Sequence, residues 1–127
     1  MKIGNYVRYE SVNTIKVAKI IAIKKADDED FCFLDNNDCT YCSLIKDVKE
    51  KLKDIIQVGD FITYRQSNFY WEVPTRVTGR YNEECEITEL MVDGIPLSTV
   101  EILSVVTREQ FENEKYIVEE EKIIWHY

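Results

Sequence analysis

Apolar positions along the chain recur mostly at every second residue in short runs, the period of half-buried strands. Ile3-Gly4-Asn5-Tyr6-Val7-Arg8-Tyr9 opens such a run after a Gly-Asn turn. Ile15 to Ile23 is β-branched and long enough for a second strand, Lys24 to Asp30 (KKADDED) is a charged turn, and Phe31-Cys32-Phe33-Leu34 is a short return strand. Asp35-Asn36-Asn37-Asp38 follows as a turn, because Asn and Asp tolerate left-handed φ and bond their own backbone.

Val58-Gly59-Asp60-Phe61-Ile62-Thr63-Tyr64 repeats the opening at an offset of 55, with Gly and Tyr identical and the other positions matched in kind. Two copies of one β unit are therefore expected. The second continues through Phe69-Tyr70-Trp71-Glu72-Val73. Pro74 follows, and without an N–H for a ladder it marks an edge or bulge. Arg76 to Tyr81 and Cys85 to Val92 read as strands, and Asp93-Gly94 is the strongest hairpin turn in the chain. Thr107-Arg108-Glu109-Gln110 fits a capping box, so a helical turn starts there, and Tyr116-Ile117-Val118 reads as strand again. Between the units, Leu44, Ile45, Val48, Leu52, Ile55 and Ile56 share one face of a helix of about 13 residues with Ser43 as N-cap.

The expected fold class is all-β, mainly antiparallel: two small barrels joined by one amphipathic helix. The first β unit spans 1–42, the linking helix 43–57 and the second unit 58–118. A tail, 119–127, ends in the apolar Ile123-Ile124-Trp125-His126-Tyr127 and is expected to dock. Because a module of about 60 residues is marginal alone, each half is expected to need the other.

The chain has 127 residues and a formal charge of −8, the wrong sign for gripping phosphates directly. Residues 1–57 hold ten bases and ten acids, and residues 58–127 six and fourteen, so the second half carries all the excess. One histidine, His126, leaves little for a His-based triad or multi-His metal site. No phosphate-binding glycine loop or nucleophile elbow occurs, and the runs Glu83-Glu84 with Glu86, and Glu119 to Glu121, read as solvated surface. No catalysis and no cofactor are expected. The start lacks a leader and no apolar run is long enough to span a bilayer, so a cytoplasmic protein without a membrane role is expected. Cys39 and Cys42 have the C-x-x-C spacing of zinc ligands, which Cys32 and Cys85 could complete. With no second pair, reduced thiols, with Cys32 and Cys85 buried, and no metal are the expectation.

The Gly-Asn-Tyr-Val-Arg-Tyr and Gly-Asp-Phe-Ile-Thr-Tyr signatures resemble the opening strand of SH3-like barrels. Together with Val105 to Glu112, the order of elements resembles small uncharacterised phage and prophage proteins of low-GC Gram-positive bacteria. The resemblance implies a tandem SH3-like fold and a mobile-element origin, with no site residues to carry over. Concentrated negative charge on a β scaffold can imitate a phosphate track. The expected function is thus inhibition of a host nucleic-acid-handling defence protein of the anti-CRISPR type. That host partner is a nuclease or nucleoprotein complex, with no direct nucleic acid contact. The binding candidates are Glu83, Glu84, Glu86 and Glu89. The alternative is a peptide-binding adaptor with an aromatic groove at Tyr64, Tyr70 and Trp71.

Overall fold

The computed structural model describes residues 1–67 and 69–113, with the side chains of 69–72 outside the description. The expected strand at 116–118 and the docked tail at 119–127 fall outside the described residues. The architecture is antiparallel β throughout. β1 (Tyr6–Ser11), β2 (Thr14–Lys24), β3 (Phe31–Leu34), β4 (Cys39–Tyr41) and β5 (Ile45–Lys49) form one sheet in the order β4-β3-β2-β1-β5. β6 (Phe61–Gln66), β7 (Phe69–Arg76), β8 (Thr78–Tyr81), β9 (Ile87–Val92), β10 (Ile95–Pro96) and β11 (Glu101–Val106) form two three-stranded sheets, β11-β6-β7 and β10-β9-β8.

Only Val77 separates β7 from β8, and through that kink the second half has the same serial order as the first. The turn chemistry recurs with it. Gly4 and Gly59 have φ of 93° and 98°, a region glycine enters without a Cβ clash. Gly4 N–H donates to the Ile20 carbonyl and Ile20 N–H to the Asn5 carbonyl, both at 2.8 Å. Gly59 N–H donates to Val77 (2.9 Å) and Val77 N–H to Asp60 (2.7 Å) in the same way. The Tyr9 hydroxyl donates to Asp38 Oδ2 and the Tyr64 hydroxyl to Asp93 Oδ2, each at 2.6 Å and each displaced by 55 residues. In both halves a one-turn 3-10 helix, Cys42–Leu44 or Leu97–Thr99, leads into the last strand.

Each half has its own core. Val7, Tyr9, Ala18, Ile20, Cys32 and Leu34 form the first, and Ile55, Ile56, Ile62, Tyr64, Val77, Val92, Leu97 and Val100 the second. Tyr6 and Val17 of the first half pack on the second core, so the seam between halves is apolar. A buried ion pair crosses the same seam. Arg8 donates from Nη1 to Asp60 Oδ1 (3.1 Å), and from Nη2 to Asp60 Oδ2 (2.5 Å) and the Ile55 carbonyl (2.8 Å). The capping box forms as read: Thr107 N–H donates to Gln110 Oε1, and Gln110 N–H to Thr107 Oγ1, both at 3.2 Å. The Thr107 hydroxyl donates in turn to the Ile15 carbonyl, tying the helical turn at 108–113 to the first half.

The linking helix is corrected. Ile45–Lys49 is a strand paired with β1, and within 43–57 only Leu52–Ile55 (α1) is α-helical. Ile45 and Val48 satisfy helical spacing, yet they pack on the first core through the margin of β1, a long-range pairing that overrides local propensity. Ser43 caps no helix; its N–H and hydroxyl donate to Glu29 at 2.9 and 3.2 Å. Pro74 lies where it was expected to, since pairing jumps from Ile62↔Thr75 to Tyr64↔Trp71 and leaves residues 72–74 opposite Thr63 alone. Among the described residues no helix is long and apolar enough to cross a membrane.

Candidate interaction surface

Three of the four acidic candidates meet at the β8–β9 turn. Asn82 builds that turn with its backbone and its amide. Its N–H donates to the Glu86 carbonyl (3.0 Å), and its own carbonyl accepts from Cys85 N–H (3.1 Å). Its Oδ1 accepts from the N–H groups of Glu84 (3.0 Å) and Glu86 (2.9 Å). This is the Asx chemistry that makes Asn a turn residue. Cys85 takes the left-handed position, φ 62°. The backbone polar groups are thus spent inside the loop, and the side chains of Glu83, Glu84 and Glu86 are left exposed.

Glu89 stands apart from them. It is half-buried on β9 opposite Arg80, with Oε2 4.0 Å from Arg80 Nη1. Residues 78–90 hold four glutamates and this one arginine, so the hairpin carries a local excess of three negative charges. Exposed carboxylates of this kind act at range and weaken as salt screens them.

Two apolar side chains adjoin the tip, and sequence reasoning did not place them there. Tyr81 and Ile87 face each other in register beneath the glutamates, 54% and 50% exposed. A Cβ at Gly79 would lie 3.4 Å from the Tyr81 ring, so that ring rests across the glycine. The available signal was the pairing of Tyr81 with Ile87 across a turn rich in Asn and Glu.

Of the three residues expected to line an aromatic groove, Tyr64 faces the core. Tyr64 is 8% exposed within the second core, and burial followed by the Asp93 hydrogen bond pushes its hydroxyl pKa up to about 12. Strand alternation places it inward, opposite Trp71 in the ladder. Tyr70 and Trp71 lie on β7, and their side chains fall outside the description. Phe61 is half-buried and stacks on Phe111 with ring centroids 3.9 Å apart.

Cys32 is fully buried, as expected, and burial, then its neighbour Cys42, pushes its thiol pKa up; Cys85, expected to be buried, is instead exposed because it sits in the β8–β9 turn, and Cys39 is exposed as well. Among the described residues no three His, Cys, Asp or Glu side chains gather to hold a metal. His126 and Glu119 to Glu121 lie outside the described residues.

No family model, curated protein or solved structure matches this chain.

Proposed function

We propose that this chain is a non-catalytic, cytoplasmic binding protein that docks its acidic β8–β9 hairpin onto a basic, nucleic-acid-handling surface of another protein and inhibits it. The observation that carries the reading is the tip itself: Glu83, Glu84 and Glu86 stand exposed on a turn whose backbone is already fixed by Asn82. Preorganised charge binds without the cost of ordering a loop, and it steers encounter with a cationic channel. The setting of a mobile element acting on a host defence protein of the anti-CRISPR type rests on the resemblance of the two Gly-Asn/Asp strand signatures.

The test is affinity capture from bacterial lysate at about 0.05 and 0.5 M salt, with the wild-type chain and one in which Glu83, Glu84, Glu86 and Glu89 are changed to Lys. Nucleases or nucleoproteins held by the wild type at low salt, and absent from the reversed chain, support the reading. An identical set of partners on both chains overturns it. The adaptor alternative loses Tyr64 to the core, and Trp71→Ala in the same assay tests what remains of it.

A further inference from the structure

Among the described residues, a cluster of aromatic rings lies on the outer face of the first half. Phe31 and Phe33 of β3 meet edge to face with centroids 5.2 Å apart, and Phe31 meets Tyr41 of β4 at 4.8 Å. Phe33 is 41% exposed and Tyr41 47%, while Ile21, at the bulge of β2, is 54% exposed. Their strand neighbours Cys32 and Thr40 point the other way and are buried, so the three rings share the outer face of the sheet. Contiguous exposed apolar surface on a small domain marks a contact site more often than chance placement does.

Two further features define the occupant. β4 is the outermost strand of its sheet, with β3 on one side and no strand on the other among the described residues. The N–H and carbonyl groups on its open side, of which the Tyr41 carbonyl accepts from the Thr40 hydroxyl at 3.3 Å, can take an extended segment, whose alternate side chains would fall on the aromatic face. The Asp27-Asp28-Glu29-Asp30 loop is stitched to the end of this strand: Cys42 N–H donates to the Asp30 carbonyl at 3.2 Å, and Glu29 accepts from Ser43. None of the four acids forms an ion pair among the described residues, and with Lys24 and Lys25 the loop has a net charge of −2. A cation on such a segment gains the carboxylates of this loop beside it, while the alternate apolar side chains meet the rings. A second copy would bring the same acidic loop to a strand only three residues long, so like charges oppose self-pairing.

We propose that the outer face of β2, β3 and β4, with the open margin of β4, is a docking surface for an extended segment of another protein that alternates Lys or Arg with apolar residues. It is separate from the acidic hairpin and independent of its function.

Backbone NMR titration of the full chain with three peptides of about eight residues tests it: alternating Lys and Val, Glu and Val, and Lys and Ser. The Lys-Val peptide should move the amides of residues 27–33 and 39–42 and bind at least about tenfold tighter than either control. Phe33→Ser, or Tyr41→Ser if that chain folds poorly, should weaken it about tenfold. The hairpin-reversed chain should bind it as the wild type does, so failure of the hairpin reading leaves this result untouched. Equal binding of the Glu-Val peptide, shifts confined to other strands, or no shifts at millimolar peptide would overturn the proposal. So would concentration-dependent shifts of the same amides without peptide, meaning self-pairing. The same holds for equal shifts from a short oligo-dT, meaning base stacking, or contacts from Trp125 to Phe33, meaning that the chain's own tail fills the face.

Discussion

Asp60→Ala removes the carboxylate that holds Arg8 at the seam and leaves a guanidinium whose side chain is 7% exposed with one remaining acceptor, the Ile55 carbonyl. Two charge-assisted hydrogen bonds are lost, and the buried cation keeps its desolvation cost. The expected destabilisation is about 3–5 kcal/mol, a drop of roughly 10–20 °C in Tm for a chain of this size. Asp60 Oδ2 also accepts from Gln57 N–H at 2.8 Å, so the Gly59 turn loosens as well. Arg8→Met keeps most of the apolar stem but strands Asp60, whose side chain is 3% exposed, at a similar cost of about 3 kcal/mol. Replacing both, Arg8→Met with Asp60→Ala, should cost far less than the two single changes together. A buried pair exchanged for apolar groups is often near neutral, and among the described residues Arg8 Nε has no partner. Urea denaturation of the four chains measures the coupling, expected at about 2 kcal/mol or more. A cost below about 1 kcal/mol for Asp60→Ala, or simple additivity, would refute the claim that this pair locks the halves together.

Tyr9→Phe and Tyr64→Phe should each cost about 1–2 kcal/mol in urea melts, and by similar amounts, because both hydroxyls donate to an equivalent aspartate. The Tyr9 hydrogen bond holds the Asp38 carboxyl below its ordinary value. Stability from that group is present above about pH 4 and lost as pH falls through the lowered value, so Tyr9→Phe should flatten the acid limb of stability. Tyr64 behaves oppositely: its pKa is raised to about 12, so its stabilisation holds below about pH 10 and fades as pH climbs towards 12, which ultraviolet tyrosinate titration reads directly. Thr107→Ala loses the cap and the bond to Ile15 together and should cost about 2 kcal/mol by thermal melting, whereas Thr107→Ser should recover most of it. In thiol labelling of the native chain, Cys39 and Cys85 should react at once and Cys32 only on unfolding; rapid loss of all four thiols would contradict its burial.

Features carried by neighbouring residues were legible in the sequence. The Gly4 and Gly59 turns, the Asp93-Gly94 hairpin with both residues at positive φ, the Thr107 capping box and the disruption at Pro74 each depend on chemistry within a few positions. The 45–49 strand was not legible, because its apolar spacing suits a helix equally well and only the margin of β1 decides. The Arg8–Asp60 pair was hidden for the same reason, its partners being 52 residues apart. The acidic tip was visible as composition, but the Asn82 bonds that fix it were not. The aromatic reading went astray at Tyr64, since a strand aromatic reads alike from sequence whether it faces the core or solvent; among the described residues Phe33, Tyr41 and Tyr81 are the exposed ones.

The most direct measurement is the association rate of a captured partner with the wild-type chain and with the chain reversed at Glu83, Glu84, Glu86 and Glu89, across about 0.05 to 0.5 M salt. The wild-type rate should fall steeply with salt, and the reversed chain should associate at least about tenfold more slowly at low salt while melting at nearly the same temperature. Equal association rates for the two chains at every salt concentration would contradict a hairpin that works by presenting charge.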